Sequence, residues 1–228
     1  MAEAEAAILK LNATSTALTN TEALARILLR AEAVASSRIE GLELGARRLL
    51  QAEVARESQE EVKDVTAAEV LSNIDAMSYA INAADPQQPI TLETILRMNE
   101  LLLSQTQYSS EGGRIRDRQN WIGGNDYHPC SARFVPPPED HVLELMKDLV
   151  AFCNDDGLPP VVQAAIAHAQ FETIHPYLDG NGRLGRLLIP LILVHERVLR
   201  EPLLYLSLYF KAYRSNYYEM LQRVRLHG

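Results

Sequence analysis

From Thr21 onward the apolar positions of the chain recur at three- and four-residue steps rather than in alternation, the period of a helix with one buried face. Leu24, Ile27, Leu28, Ala31 and Val34 set the first stripe, with Thr21 as its predicted N-cap and Glu22 in the first turn. This helix reaches Ser36-Ser37-Arg38-Ile39-Glu40-Gly41. Further stripes predict helices over 42–57 and 62–83, the second opening near Ser58. Pro86 and Pro89 mark a turn, and Thr91 caps a helix to about Ser104 with Leu92, Ile95, Leu96 and Leu101 inward. Helical patterns return at 139–154, at 161–174 and from about Arg183 to Val198. A last one is capped by Ser207, with Leu208, Tyr209, Tyr213, Tyr217, Met220 and Leu221 inward. Residues 1–20, rich in Ala and Thr and weakly patterned, predict a loose lead-in.

The pattern breaks once, over 105–137. Gly112-Gly113 and Gly123-Gly124-Asn125-Asp126 are turn signals, and Pro136-Pro137-Pro138 ends any strand. Trp121-Ile122 and Arg133-Phe134-Val135 are the most strand-like pieces, so a β-hairpin from Gln119 to Val135 is expected to project from a helical body. The fold class is therefore all-α with one hairpin.

Composition narrows the partners. The 228 residues carry 22 basic and 30 acidic side chains, a net charge of −8. That balance argues against a non-specific nucleic-acid or anionic-membrane surface. No apolar run reaches the length of a membrane span: Leu187 to Val194 is interrupted by Pro190 and flanked by charge. Residues 1–10 lack the basic start of a signal peptide. Cys130 and Cys153 lack metal-type spacing and read as reduced thiols of a cytoplasmic protein, with one disulfide as the alternative.

The chemistry is concentrated in residues 175–186, His-Pro-Tyr-Leu-Asp-Gly-Asn-Gly-Arg-Leu-Gly-Arg. Gly180 and Gly182 allow a sharp turn with outward N–H groups, feeding a helix that begins at about Arg183; that is an anion cradle. Arg183 and Arg186, three apart, can grip phosphate oxygens from one side. Asp179 is a candidate ligand for Mg²⁺, which uses few protein carboxylates when phosphates supply the rest. His175 is the neighbouring group that can take a proton near neutral pH. The helix C-terminus favours its imidazolium and burial its neutral form; sequence leaves both open. His168, Glu172 and His175 lack zinc-enzyme spacing, and His168 reads as a packed, hydrogen-bonded neighbour. The stretch points to phosphoryl or nucleotidyl transfer from a metal–nucleotide complex.

These twelve residues resemble the His-Pro-Phe-x-Asp-Gly-Asn-Gly-Arg-x-x-Arg signature of the Fic domain family, departing only at Tyr177, where the family usually has Phe. A second resemblance supports the first. Ser36-x-x-x-Glu40-Gly41 is similar to the inhibitory motif of Fic proteins, and its place ahead of the core resembles the class with an N-terminal inhibitory helix. The resemblance covers about residues 34–215 and implies an all-α Fic fold with a β-hairpin flap. It divides the chain into an arm and inhibitory-helix region, 1–57, and a Fic core, 58–228, which in many relatives continues into a further domain.

The implied activity is AMPylation, transfer of AMP from ATP to a hydroxyl of a target protein or of the chain itself. His175 would be the base and Asp179 the Mg²⁺ ligand. Gly180, Asn181, Gly182, Arg183 and Arg186 would hold the phosphates. Ser36, Glu40 and Gly41 would form the regulatory motif, with Glu40 occupying Arg186. Trp121, Ile122 and Gly123 of the flap would dock the target by main-chain pairing. The alternatives are removal of AMP by hydrolysis, with Glu40 positioning water, and a silent phosphate- or peptide-binding module. A homodimer is compatible with this reading.

Overall fold

In the computed structural model, which describes residues 2–15, 21–125, 127–199 and 205–227, nearly all regular structure is helical. Among the described residues there are ten α-helices: α1 (Ala2–Ser15), α2 (Thr21–Ile39), α3 (Ala46–Glu57), α4 (Val65–Ala83), α5 (Leu92–Leu103), α6 (Glu139–Cys153), α7 (Pro160–Ile174), α8 (Asn181–His195), α9 (Leu206–Ala212) and α10 (Arg214–His227). The all-α expectation holds, and no described helix is long and apolar enough to cross a membrane.

Local chemistry sets several boundaries. Asp64 accepts the amide of Ala67 and starts α4 three residues later than the apolar pattern suggested. Thr91 accepts the amide of Thr94 and caps α5 as expected. The predicted lead-in is instead the helix α1, where high Ala content favours helix and Asn12 ties it to the carbonyl of Val198 at 2.7 Å. The Thr21 and Glu22 side chains and Asp126 lie outside the described residues.

The core runs through α4, α5, α7 and α8. Ile95, Met98, Leu102, Phe171, Leu184, Leu187, Leu188 and Leu191 are fully buried there. Two stripes fall differently from expectation. In α2 the buried face is Ala25, Glu32, Ala33, Ala35, Ser36, Ser37 and Ile39, while Ile27 is exposed. Small and polar residues face inward because they are hydrogen-bonded: Asn73 of α4 donates to the Ala33 carbonyl and the Ser37 hydroxyl, each at 3.0 Å. Both Glu32 carboxylate oxygens accept the amide of Ser207, at 2.9 and 3.0 Å, so a carboxylate from α2 caps α9. At the C-terminus only Tyr217 and Leu221 of the predicted inward set are buried; Leu208, Tyr209, Tyr213 and Met220 face outward, because the pattern is broken into two helices at Tyr213.

The hairpin is reduced to one antiparallel bridge, Ile122 with Phe134, and the described residues between form a loop with a 3₁₀ turn at Pro129–Ser131. Glycines at 123 and 124, both with positive φ, and the proline at 136 leave no run long enough to extend the ladder.

Candidate active site

Helix α7 ends at His175, which adopts a left-handed conformation (φ 51°, ψ 60°). A β-carbon-bearing residue there costs about 1–3 kcal/mol and persists only where its surroundings hold it. The next residue, Pro176, supplies half of the reason the helix stops, because the α region is disfavoured before proline. The surroundings supply the rest. The His175 carbonyl accepts from Arg116 Nε at 3.0 Å and from Asn120 Nδ2 at 3.3 Å, and the Pro176 carbonyl accepts the Arg116 amide at 2.9 Å.

The loop then turns at Gly180 (φ 82°), the N-cap of α8, where no side chain caps the helix. The first intrahelical bond is from the Leu184 amide to the Gly180 carbonyl, so the amides of Asn181, Gly182 and Arg183 have no partner within the helix. Helix α8 thus begins two residues before the sequence expectation, and these three N–H groups form its positive end. The Asn181 side chain is turned inward. It accepts the Tyr177 amide at 2.9 Å and donates to the Tyr177 carbonyl at 2.7 Å, bracing the loop and leaving its main-chain N–H as what it offers an anion.

Both arginines of α8 are buried with their charge aimed at this turn. Arg183 donates to Asp179 at 2.8 Å, while its Nε and second terminal nitrogen meet no partner among the described residues. Orphaned donors on a buried cation are the signature of a place for an anion. Arg186 is engaged by the end of α2. Its Nε donates to the Ser36 hydroxyl at 3.0 Å, and one terminal nitrogen donates to the Ser36 carbonyl at 3.0 Å and to Glu40 Oε1 at 2.7 Å. Burial lowers the Arg186 pKa, and Glu40, Tyr217 and Glu172 together more than offset it, Glu40 foremost, so the guanidinium is held above its ordinary value.

The Glu40 carboxylate lies against the start of α8. A β-carbon at Gly182 would collide with Glu40 Oε1, so only glycine lets the carboxylate approach the cradle this closely. Its position is fixed by the end of α2. The Leu42 amide donates to the Ser37 carbonyl and the Gly41 amide to the Arg38 carbonyl, with Gly41 left-handed at φ 89°, which is a Schellman cap. Gly41 is therefore a structural C-cap that also aims Glu40.

Burial and, after it, the Arg225 charge lower the His175 pKa to about 4. The alternative left open by the sequence is thereby resolved toward neutral imidazole at pH 7. His168 is buried, with its Nε2 3.0 Å from the Tyr217 hydroxyl, as the packed neighbour it was expected to be. Burial raises the Glu172 pKa to about 7. In the flap, the Ile122 amide donates to the Phe134 carbonyl at 2.9 Å and its carbonyl accepts the Arg133 amide at 2.8 Å. Ile122 thus pairs with the opposite limb through its main chain. The Trp121 indole donates to the Asn125 carbonyl at 2.7 Å.

Arg116, Asn120, Arg225 and Tyr217 all meet this site, and sequence reasoning passed them over. Arg116 and Arg225 bind carbonyls 59 and 53 residues away, a relation that leaves no local spacing to read. A charged residue between two glycine turns was the one available signal for Arg116.

Tyr177 shows the consequence of departing from the signature. Its ring is 1% exposed and its hydroxyl has no partner among the described residues. An unsatisfied buried hydroxyl costs about 1–3 kcal/mol. Tyr177→Phe is therefore expected to raise the melting temperature by about 2–4 °C per kcal/mol recovered. A lower melting temperature in differential scanning calorimetry would mean the hydroxyl is bonded after all.

Comparison with known proteins agrees with this geometry. The family model described as "Fic/DOC family" matches residues 89–193, and "Fic/DOC family N-terminal" matches residues 1–82. A Caenorhabditis elegans protein named protein adenylyltransferase fic-1 is 37% identical over 110 residues, covering 47% of this chain and 20% of that protein. A Drosophila grimshawi protein adenylyltransferase Fic is 35% identical over 158 residues, covering 68% of this chain and 29% of that protein. The chain thus matches less than a third of the length of either relative. The crystal structure of a Fic family protein from Desulfovibrio desulfuricans superposes with a TM-score of 0.71 at 26% identity, covering 95% of this chain and 63% of that one.

Proposed function

The chain belongs to the Fic/DOC family, and from that premise we propose that it is a protein adenylyltransferase held inactive by its own Glu40. The observation that carries the proposal is the conjunction at α8: three uncapped amides, a buried arginine with orphaned donors, and a second buried arginine occupied by an internal carboxylate. Such a constellation recognises a polyphosphate and is blocked by a group that imitates one. The relatives named as adenylyltransferases support ATP as the donor and a protein as the acceptor.

In the transfer, a target hydroxyl attacks the α-phosphorus of ATP, the bond from that phosphorus to the bridging oxygen breaks, and pyrophosphate leaves. Neutral His175 takes the hydroxyl proton. The amides of Asn181, Gly182 and Arg183 stabilise phosphate charge, Arg183 neutralises the departing pyrophosphate, and Arg186 holds the γ-phosphate once Glu40 withdraws. Trp121, Ile122 and Gly123 of the flap would dock an extended target segment by main-chain pairing. A cytoplasmic setting fits the free thiols of Cys130 and Cys153.

Asp179 suits Mg²⁺: its carboxylate is 37% exposed at the mouth of the loop, and one oxygen is engaged by Arg183. The ion would supply charge neutralisation across the phosphates, whose oxygens complete its shell. Asp179→Asn, which keeps an acceptor for Arg183, is expected to weaken the Mg²⁺ dependence of ATP binding without unfolding the protein. Identical Mg²⁺ linkage in isothermal titration calorimetry would make Asp179 structural.

The activity is tested by the position of the label. In a Glu40→Gly chain, label at the α-phosphate of ATP is expected to appear on protein, and label at the γ-phosphate to leave as pyrophosphate. Transfer of γ-label would make the protein a kinase, and retention of neither label would favour a silent binding module.

A further inference from the structure

Arg116 is 3% exposed, and although the Glu139 charge bears on it, no carboxylate is in ion-pair contact with it among the described residues. A buried arginine ordinarily meets an acid. This one spends its guanidinium on three main-chain carbonyls from three parts of the chain. Nε donates to His175 at 3.0 Å, one terminal nitrogen to Arg118 at 3.2 Å, and the other to Pro137. Arg118 and Pro137 are the two roots of the flap, immediately before Gln119 and after Pro136. One planar group therefore joins both ends of the flap to the carbonyl of the proposed base.

Other groups complete the tie. Asn120 donates to the His175 carbonyl at 3.3 Å and to the Tyr177 carbonyl at 2.9 Å, and Gln119 donates across the flap base to Pro136 at 3.0 Å. On the far side, Arg225 of α10 donates to the Glu172 carbonyl at 2.8 Å and lies 4.7 Å over the Phe134 ring of the flap. His175 is held in a left-handed conformation at the centre of these contacts, and its own side-chain Nδ1 has no partner among the described residues. The imidazole is thus aimed by its backbone, and the backbone is held from the flap.

We propose that Arg116 is a positioning residue for the transfer: from the flap root it fixes the His175 main chain, so that the reactivity of the base depends on where the flap sits. The inference rests on the reading of His175 as the base. The geometry of the fork is what matters. Lysine keeps the positive charge, but a single ammonium cannot reproduce three donors fixed in one plane. A target segment paired along the flap moves the two roots by fractions of an ångström, and the shared guanidinium carries that movement to His175. Binding of the correct target then orders the catalytic group, a form of discrimination that contacts to the target side chain alone do not give.

The test uses Arg116→Lys and Asn120→Ala, each placed in a Glu40→Gly chain so that turnover is measurable. Both are expected to lower kcat for AMP transfer, with the KM for ATP within about twofold; a displacement of about 1 Å at a reacting group costs on the order of 10²-fold. Followed by NMR through a pH titration without nucleotide, the imidazole resonances of His175, whose pKa burial holds at about 4 in the native chain, should titrate higher in Arg116→Lys than in its Glu40→Gly parent, as the ring loses its enclosure. The groups bearing on that titration are Arg225, the Glu172 carbonyl, Arg116 and Glu40; Glu40 is absent from variant and parent alike, so only Arg116 differs between them. A fall in melting temperature with kcat unchanged, or a kcat loss with the His175 titration unmoved, would overturn the proposal. If Arg116→Lys fails to fold, Asn120→Ala carries the kinetic arm and its His175 resonances the spectroscopic one. If Glu40→Gly transfers no AMP, the activity assigned above fails, while the NMR arm still decides whether Arg116 positions His175.

Discussion

His175→Ala in a Glu40→Gly chain is expected to lower AMP transfer by about 10²–10⁴-fold while leaving ATP affinity nearly intact. The separation follows from the site. The groups available to phosphates are the amides of Asn181, Gly182 and Arg183 and the two buried arginines, all on α8, whereas His175 stands at the end of α7. Removing the imidazole thus leaves the cradle in place. The pH dependence adds a second check. The His175 pKa is depressed from 6.5 to about 4, so the base form is complete above about pH 5, and transfer limited by this group should be flat from there to neutrality. Below about pH 4 the rate should fall tenfold per pH unit, provided circular dichroism shows the fold intact. A midpoint near 6.5 would mean the ring is more open than this geometry makes it. Equal rates for His175→Ala and its parent would remove His175 from the chemistry.

Glu40→Gly is expected to raise productive ATP binding and transfer about ten- to a hundredfold. A charge-assisted hydrogen bond contributes roughly 1.5–3 kcal/mol, and each 1.4 kcal/mol is about one decade. The Glu40 side chain is 35% exposed and that of Arg186 1%, so the pair is half-solvated and its loss sits toward the lower end of that range. Two effects act together: Arg186 regains a free donor, and the space against Gly182 is vacated for a phosphate oxygen. The substitution also places glycine beside Gly41 in the Schellman cap, which loosens the end of α2. A thermal melt should accompany the assay, and Asn73 and Glu32, which anchor α2 elsewhere, are expected to keep the loss small. A hydrolytic use of Glu40 predicts the opposite sign: losing the carboxylate would abolish AMP removal, and transfer would not rise.

The parts legible in the sequence were those whose function lies in local spacing. The turn at Gly180, the two arginines three apart and the helix that follows can be read in one line, because a helix N-terminus is built by consecutive residues. Ser36 and Glu40 were legible as a pair, since four residues return to one helix face, and they meet Arg186 150 and 146 residues away. What could not be read was set by tertiary partners. The buried face of α2 carries Glu32, Ser36 and Ser37, polar groups whose partners Ser207, Arg186 and Asn73 are remote, so an apolar stripe pointed to the wrong side. The protonation of His175 depended on enclosure by Arg116 and α10, which no spacing encodes. The flap had strand-like composition but one bridge among the described residues, because the glycines at 123 and 124 and the proline at 136 stop the ladder.

The central claim, that Glu40 restrains an adenylyltransferase by holding Arg186, is tested most directly by intact-mass spectrometry after incubation with Mg-ATP. Wild type, Glu40→Gly, and Glu40→Gly combined with His175→Ala are compared, each with a candidate acceptor protein or lysate fraction present. The account predicts an added AMP on the chain or the acceptor with Glu40→Gly, little with wild type and none with the double variant. A folded, ATP-binding Glu40→Gly that adds AMP to nothing, or a wild type that transfers as fast as Glu40→Gly, would contradict it.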